Sequence, residues 1–262
     1  VKTIQDFDQL HLPTVLKQVA MNHQGLILLA GITGSGKSTT IAAMINYINA
    51  NRACHIVTVE DPIEYIFDDD KAFINQREIG IDVKNFHDAL KYLMREDPDV
   101  ILVGEMRDRE TFEAAIHSAE TGHLCLGTIH AASAAQTITR ILDLFPESER
   151  SALRQALVFN LKAVICQKLL PSIHPERSRV PCCEIMIMNA GLRKLIAEGR
   201  DFEITTVIKA SIDEGMQDFT EASYRLIQEE YLDLKIAMEV APNPDELKMR
   251  MKGIRSKAAG IL

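Results

Sequence analysis

The chain has 262 residues, 47% of them hydrophobic and 25% charged, a balance that excludes wholesale disorder and allows one large domain or two small ones. Its formal net charge of −8 argues against the broad basic face of a non-specific nucleic-acid binder, while leaving room for a local basic groove. Tryptophan is absent and aromatics are only 5%, too few for base-stacking platforms or the aromatic belts of a membrane protein.

No apolar run approaches the roughly 18 residues of a transmembrane helix, and no signal-peptide pattern opens the chain. The first residue is Val1 rather than Met, so an upstream part is expected to have been removed or left out. The five cysteines, Cys54, Cys125, Cys166, Cys182 and Cys183, show no C-x-x-C spacing, which fits a reducing compartment and argues against a zinc site. Neighbouring side chains on a strand point apart, so Cys182 and Cys183 are expected on opposite faces rather than as a redox pair.

In chain order, Gly25–Ala30 is a short apolar strand, and Ser38–Asn49 places Ile41, Met44, Ile45 and Ile48 at helical spacing. His55–Glu60 is β-branched and ends in acids; Ala72–Ile79 is a weaker strand, and Phe86–Met94 a helix candidate. Asp99–Glu105 is apolar on both faces, the pattern of a buried strand; Arg109–Thr121 is helical, His123–Ile129 strand-like, and Ala134–Leu144 helical. This alternation predicts a mostly parallel sheet covered on both faces, over residues 23–188. Ser148–Val158 is an amphipathic helix, and Ala163–Leu170 and Val180–Met188 are expected to pair across a polar turn. From residue 189 to 262 the pattern is mostly helical, with a last helix starting near Asp245.

Gly31-Ile-Thr-Gly-Ser-Gly-Lys-Ser38 matches G-x-x-x-x-G-K-[ST] between a strand and a helix, the context a phosphate-binding loop requires. Glycines let backbone N–H groups turn inward on phosphate, and the helix start adds its dipole. Lys37 supplies a point charge, and the Ser38 hydroxyl is an oxygen ligand for Mg²⁺. Gly31, Thr33, Gly34, Ser35, Gly36, Lys37, Ser38 and Thr39 are the candidate nucleotide-binding residues.

Glu105 ends the buried strand, where a carboxylate orients and deprotonates an attacking water. Gly104 stands where an Asp usually supports the metal; Glu60 and Asp61, ending another strand, are the candidate substitutes beside Ser38. Glu64, one turn on, is a candidate for the same cleft or a surface acid. His130 ends a further strand, as a phosphate sensor, a bridge to a carboxylate or a satisfied core histidine; His123 reads as structural. No Asn-Lys pair exists to build the guanine-binding N-K-x-D. Arg95, Arg107, Arg109 and Arg140 are dispersed and read either as fingers acting across subunits or as surface ion pairs. A nucleic-acid-handling RecA-like ring motor and a non-hydrolysing, nucleotide-dependent assembly module are the alternative functions.

Four boxes in order carry a resemblance: the phosphate loop Gly31–Ser38, an acidic box Thr58–Tyr65, the strand box Asp97–Asp108 with its Gly104-Glu105 ending, and a histidine box Thr121–His130. Together they resemble the ATPases of the type II/IV secretion and pilus motor superfamily, in which that glycine is usual. The chain lacks the four-cysteine subdomain of the secretion and pilus-extension branches, which brings it nearest the pilus retraction ATPases. Their C-terminal motif AIRNLIRE aligns with Gly191–Glu198, matching at Arg193, Leu195, Ile196 and Glu198 and departing at Gly191, Leu192, Lys194 and Ala197.

The resemblance implies a RecA-like core with a helical C-terminal extension, using ATP and Mg²⁺. It implies a homo-hexameric ring, cytoplasmic and peripheral at the inner membrane, that works on a pilus platform protein to drive pilus retraction and twitching, with no nucleic acid. It also implies that residues 1–22 are the linker from an N-terminal PAS-like domain and the entry segment of the ATPase core, and it leaves a secretion-system assembly ATPase as an alternative function. Glu105 would activate water, with Glu60, Glu64 and His130 assisting catalysis or coupling nucleotide state to domain position.

Overall fold

The computed structural model describes residues 3–93 and 95–253. Seven strands, β1 (Gly25–Ala30), β2 (His55–Glu60), β3 (Phe73–Glu78), β4 (Val100–Val103), β5 (Leu124–Ile129), β6 (Leu161–Pro171) and β7 (Arg179–Ile187), form one sheet. Their order is β3-β2-β4-β5-β1-β6-β7, all parallel except the last pair, where β6 and β7 run antiparallel as the expected hairpin.

The reason for parallel pairing is visible in the strands themselves. Every residue of β1, β4 and β5 is buried, so both faces need cover. On one face, Leu28, Val57, Val103 and Cys125 pack under α4 (Arg109–Glu120), α5 (Ala134–Asp143) and α6 (Glu147–Asn160). On the other, Ile27, Leu29, Ile56 and Leu126 pack under α1 (Val15–Ala20) and α2 (Lys37–Asn51). A third helix, α3 (Phe86–Leu93), lies between β3 and β4 in sequence and buries Ala89, Leu90 and Leu93. The adjacent Cys182 and Cys183 fall into these two opposite clusters, as strand alternation predicts, and all five cysteines are free.

Residues 3–22, expected as linker and entry segment, contribute to the core: Phe7, Leu12, Leu16, Val19 and Ala20 are buried, and Phe7 packs edge-on against Tyr47 of α2 at 5.5 Å. Beyond β7 come α7 (Ala190–Glu198), α8 (Ile204–Ala210), α9 (Phe219–Gln228), α10 (Leu234–Val240) and α11 (Pro244–Met251), which close over the first cluster through Leu192, Ile208, Phe219 and Leu247. The Gly191–Glu198 stretch is an amphipathic helix with Leu192, Leu195 and Ile196 inward, and its Arg193 donates to the Val158 carbonyl of α6. The helical pattern expected for residues 254–262, and Met94, expected as the last residue of the Phe86–Met94 helix, lie outside the described residues. No described helix is long and apolar enough to cross a membrane.

The carboxyl ends of β1, β2, β4 and β5 all open on one edge of the sheet, so the four sequence boxes are brought together by the topology.

Candidate functional site

The loop leaving β1 turns into α2 through Gly36, whose φ of 86° caps the helix in a conformation that a side chain disfavours. The first N–H groups of α2 therefore face the cleft with the positive end of the helix dipole behind them. Lys37 Nζ donates to the carbonyls of Gly31 at 2.7 Å and Ile32 at 3.0 Å, folding back over the loop it belongs to. Desolvation pulls its ammonium below the usual lysine value, opposed by the Glu105 charge. The Ser38 hydroxyl donates to Glu64 Oε1 at 2.7 Å, and the Thr39 hydroxyl shares a 2.8 Å hydrogen bond with the Tyr65 phenol.

Two acids close the far wall. Glu60 Oε1 accepts from the Thr58 hydroxyl at 2.7 Å and from Gln76 Nε2 at 3.2 Å. Burial pushes its carboxyl up, and those two hydrogen bonds pull against it. Glu105, just past the end of β4, is held from both sides: Arg107 donates to Oε2, and His130 Nε2 lies 3.0 Å from Oε1. The Arg107 hydrogen bond, against a desolvation penalty, holds the Glu105 carboxyl below its usual range. Arg107 thus pairs within its own chain here, and Arg109 pairs with Glu113 and Glu149 on the surface.

A cleft of about 480 Å³ collects these groups: Thr33, Gly34, Gly36, Lys37, Ser38, Thr39, Glu60, Asp61, Glu64, Glu105 and His130 all line it. Gly31 and Ser35 belong to the same loop but do not line the cleft. The Ser35 side chain is buried, and its Oγ is, among the described residues, the one buried side-chain polar atom without a hydrogen-bond partner. His123 sits at the other end of β5, its Nδ1 2.9 Å from the Ser118 carbonyl, in the structural position expected of it.

Gly104 has a steric reason to be glycine. A Cβ there would lie 3.1 Å from the Glu60 Cα and 3.1 Å from the Val59 carbonyl oxygen, both backbone atoms that cannot swing away. The strand that supplies Glu60 and Asp61 therefore occupies the space an Asp at 104 would need. Gly104→Ala is expected to destabilise the fold by about 1–3 kcal/mol, read as a lowered thermal unfolding midpoint.

Sequence reasoning missed three supports. Thr58 was visible in principle, since positions two apart on a strand share a face and bring its hydroxyl to Glu60. Gln76 was not, because it reaches Glu60 only through the β2–β3 register that pairs it with Thr58. Nor was Gln167, whose place beside the loop depends on β6 lying next to β1.

A parallel sheet with a glycine-rich loop running into a helix, and a carboxylate at the tip of a nearby strand, defines the P-loop nucleotide-binding class with a RecA-like core. The family described as Type II/IV secretion system protein matches residues 5–232, and the chain belongs to that family. It is 42% identical over 245 residues to a "Twitching motility protein" of Neisseria gonorrhoeae, covering 94% of this chain and 65% of that one. It is 39% identical over 250 residues to the "Type IV pilus ATPase PilU" of Pseudomonas aeruginosa, covering 95% and 65%. Among solved structures, that of the "Pilus Retraction Motor PilT and Bound ADP" superposes with a TM-score of 0.87 at 45% identity, covering 95% of this chain and 70% of that one. The chain thus spans about 65% of the length of these curated relatives.

Proposed function

We propose that this chain is the motor core of an ATP-hydrolysing enzyme that drives type IV pilus retraction. The observation that carries the proposal is the cleft itself: a phosphate loop facing a doubly held Glu105, in a chain 45% identical to a pilus retraction motor with bound ADP.

The residues fit a nucleotide and its metal. Gly34 and Gly36 take left-handed backbone conformations, and the Ser35 hydroxyl stands unpartnered in the loop. Among the described residues no group of three or more His, Cys, Asp or Glu forms a metal cage. The cleft offers oxygen donors of the kind Mg²⁺ takes alongside substrate phosphates. Ser38, with Glu60 or Asp61, would hold the ion, which supplies charge neutralisation at the phosphate oxygens.

The protein's own part follows from the contacts. The loop N–H groups and Lys37 bind the phosphates, Lys37 exchanging the carbonyls of Gly31 and Ile32 for a stronger, charged acceptor. Ser38 gives up its bond to Glu64, and that bond makes Glu64 responsive to whether the cleft is filled. Glu105, kept ionised, accepts a proton from the attacking water at its carboxylate. His130 fixes the carboxylate's direction, and Arg107, largely exposed, is the group free to move toward developing negative charge.

The resemblance to ring motors supports a homo-hexamer at the cytoplasmic face of the inner membrane, passing force to a pilus platform protein. A strain carrying only the Glu105→Gln form is expected to lose twitching and retain surface pili. Wild-type twitching in that strain would overturn the proposal.

A further inference from the structure

Gln167 sits on β6, 3% exposed, beside the phosphate loop and outside the cleft. A buried primary amide is stabilising only when its polar atoms are used, and here both are. Gln167 Nε2 donates to the Ser35 carbonyl at 2.8 Å, and Oε1 accepts from the Thr40 hydroxyl at 2.8 Å and from the Cys183 thiol at 3.7 Å. The Ser35 carbonyl can only accept, so the amide nitrogen must face it and the side chain has one orientation. A Cβ on Gly36 would come within 2.8 Å of the same nitrogen, so the amide also fits only beside a glycine.

The consequence lies in the geometry of the peptide unit. The peptide is planar and trans, so its C=O and N–H point in opposite directions. Ser35 C=O and Gly36 N–H belong to one such unit. Drawing the carbonyl back toward β6 turns the Gly36 N–H outward, toward the cleft that Gly36 lines. The Thr40 bond ties the same amide to the first turn of α2, so loop and helix start are set against each other by one side chain.

We infer that Gln167 is a positioning residue that holds the phosphate loop in its binding conformation before nucleotide arrives, so that little ordering remains to be done on binding. The inference rests on nucleotide binding at this loop.

The test compares the dissociation constant for a fluorescent ADP (mant-ADP), steady-state ATP turnover and the thermal midpoint without nucleotide. Gln167→Met keeps the volume and removes all three hydrogen bonds of the amide. It is expected to weaken mant-ADP binding about tenfold, leaving turnover at saturating ATP within about threefold of wild type. Gln217→Met is the control. That amide is equally buried and donates to the Cys183 carbonyl at 2.8 Å, without touching the loop; its loss is expected to lower the midpoint and leave affinity unchanged.

Thr40→Val removes one arm only and is expected to weaken binding less than Gln167→Met. If Gln167→Met does not fold, Thr40→Val decides. Affinity within about twofold of wild type in Gln167→Met, or an equal loss in the Gln217 control, overturns the inference. Wild-type protein that binds no mant-ADP overturns the nucleotide-binding reading itself; wild-type binding with an unaltered Gln167 variant overturns this inference alone.

Discussion

Lys37→Ala is expected to lose nucleotide affinity by about a hundredfold and to show no measurable ATP turnover, with its thermal midpoint unchanged. Hydrogen bonds between charged groups are worth about 1.5–3 kcal/mol each, which is an order of ten- to a hundredfold per contact. In this structure the Lys37 ammonium is partly buried and, among the described residues, donates to two carbonyls of its own loop. Those carbonyls are weaker acceptors than a phosphate, so most of the interaction strength of Lys37 is realised only when an anion is present. Truncation therefore removes binding and transition-state stabilisation while taking little from the folded state. Equilibrium titration with mant-ADP, a phosphate-release assay and a melting curve on the same preparation check all three statements.

Glu105→Gln is expected to bind ATP close to normally and to hydrolyse it about 10²- to 10⁴-fold more slowly, the range over which a positioned general base acts. The substitution conserves shape and keeps an oxygen that can face His130, so the wall of the cleft is preserved. It removes the negative charge, and with it the site that accepts a proton from water. The pair with Arg107 is also lost, but Arg107 is 72% exposed, and ion pairs in that setting contribute little to stability. A fall in turnover together with a matching fall in stability would show that Glu105 is structural. A fall in turnover alone, with mant-ADP affinity retained, identifies it as the base.

The parts of this molecule that were legible in sequence are those where a residue's role is decided locally. The all-buried strands β1, β4 and β5 announce themselves as unbroken apolar runs because both faces are covered. The phosphate loop is legible for the same reason: its glycines, Lys37 and Ser38 are consecutive, and the chemistry depends on their order. Glu60, Glu64, Glu105 and His130 were legible as strand or post-strand positions, since parallel strands deliver their carboxyl ends to one edge.

What sequence left hidden is long-range. Gln76 reaches Glu60 from the edge strand, across a register that no local pattern specifies. Gln167 is 132 residues from the Ser35 carbonyl it holds. Gly104 looks like a missing Asp until the β2 backbone is seen against it. Residues 3–22 read as linker and entry segment through the family resemblance alone; Phe7 and Leu16 show their place in the core only once α2 offers a surface to pack on.

The most direct measurement of the account is phosphate release from ATP by the purified wild-type protein in the presence of Mg²⁺, set beside Lys37→Ala and Glu105→Gln. The expected result is steady turnover by the wild type that is lost in both variants, with ATP binding retained in Glu105→Gln alone. Equal turnover in all three proteins, or none in a wild-type protein that binds ATP, would contradict it.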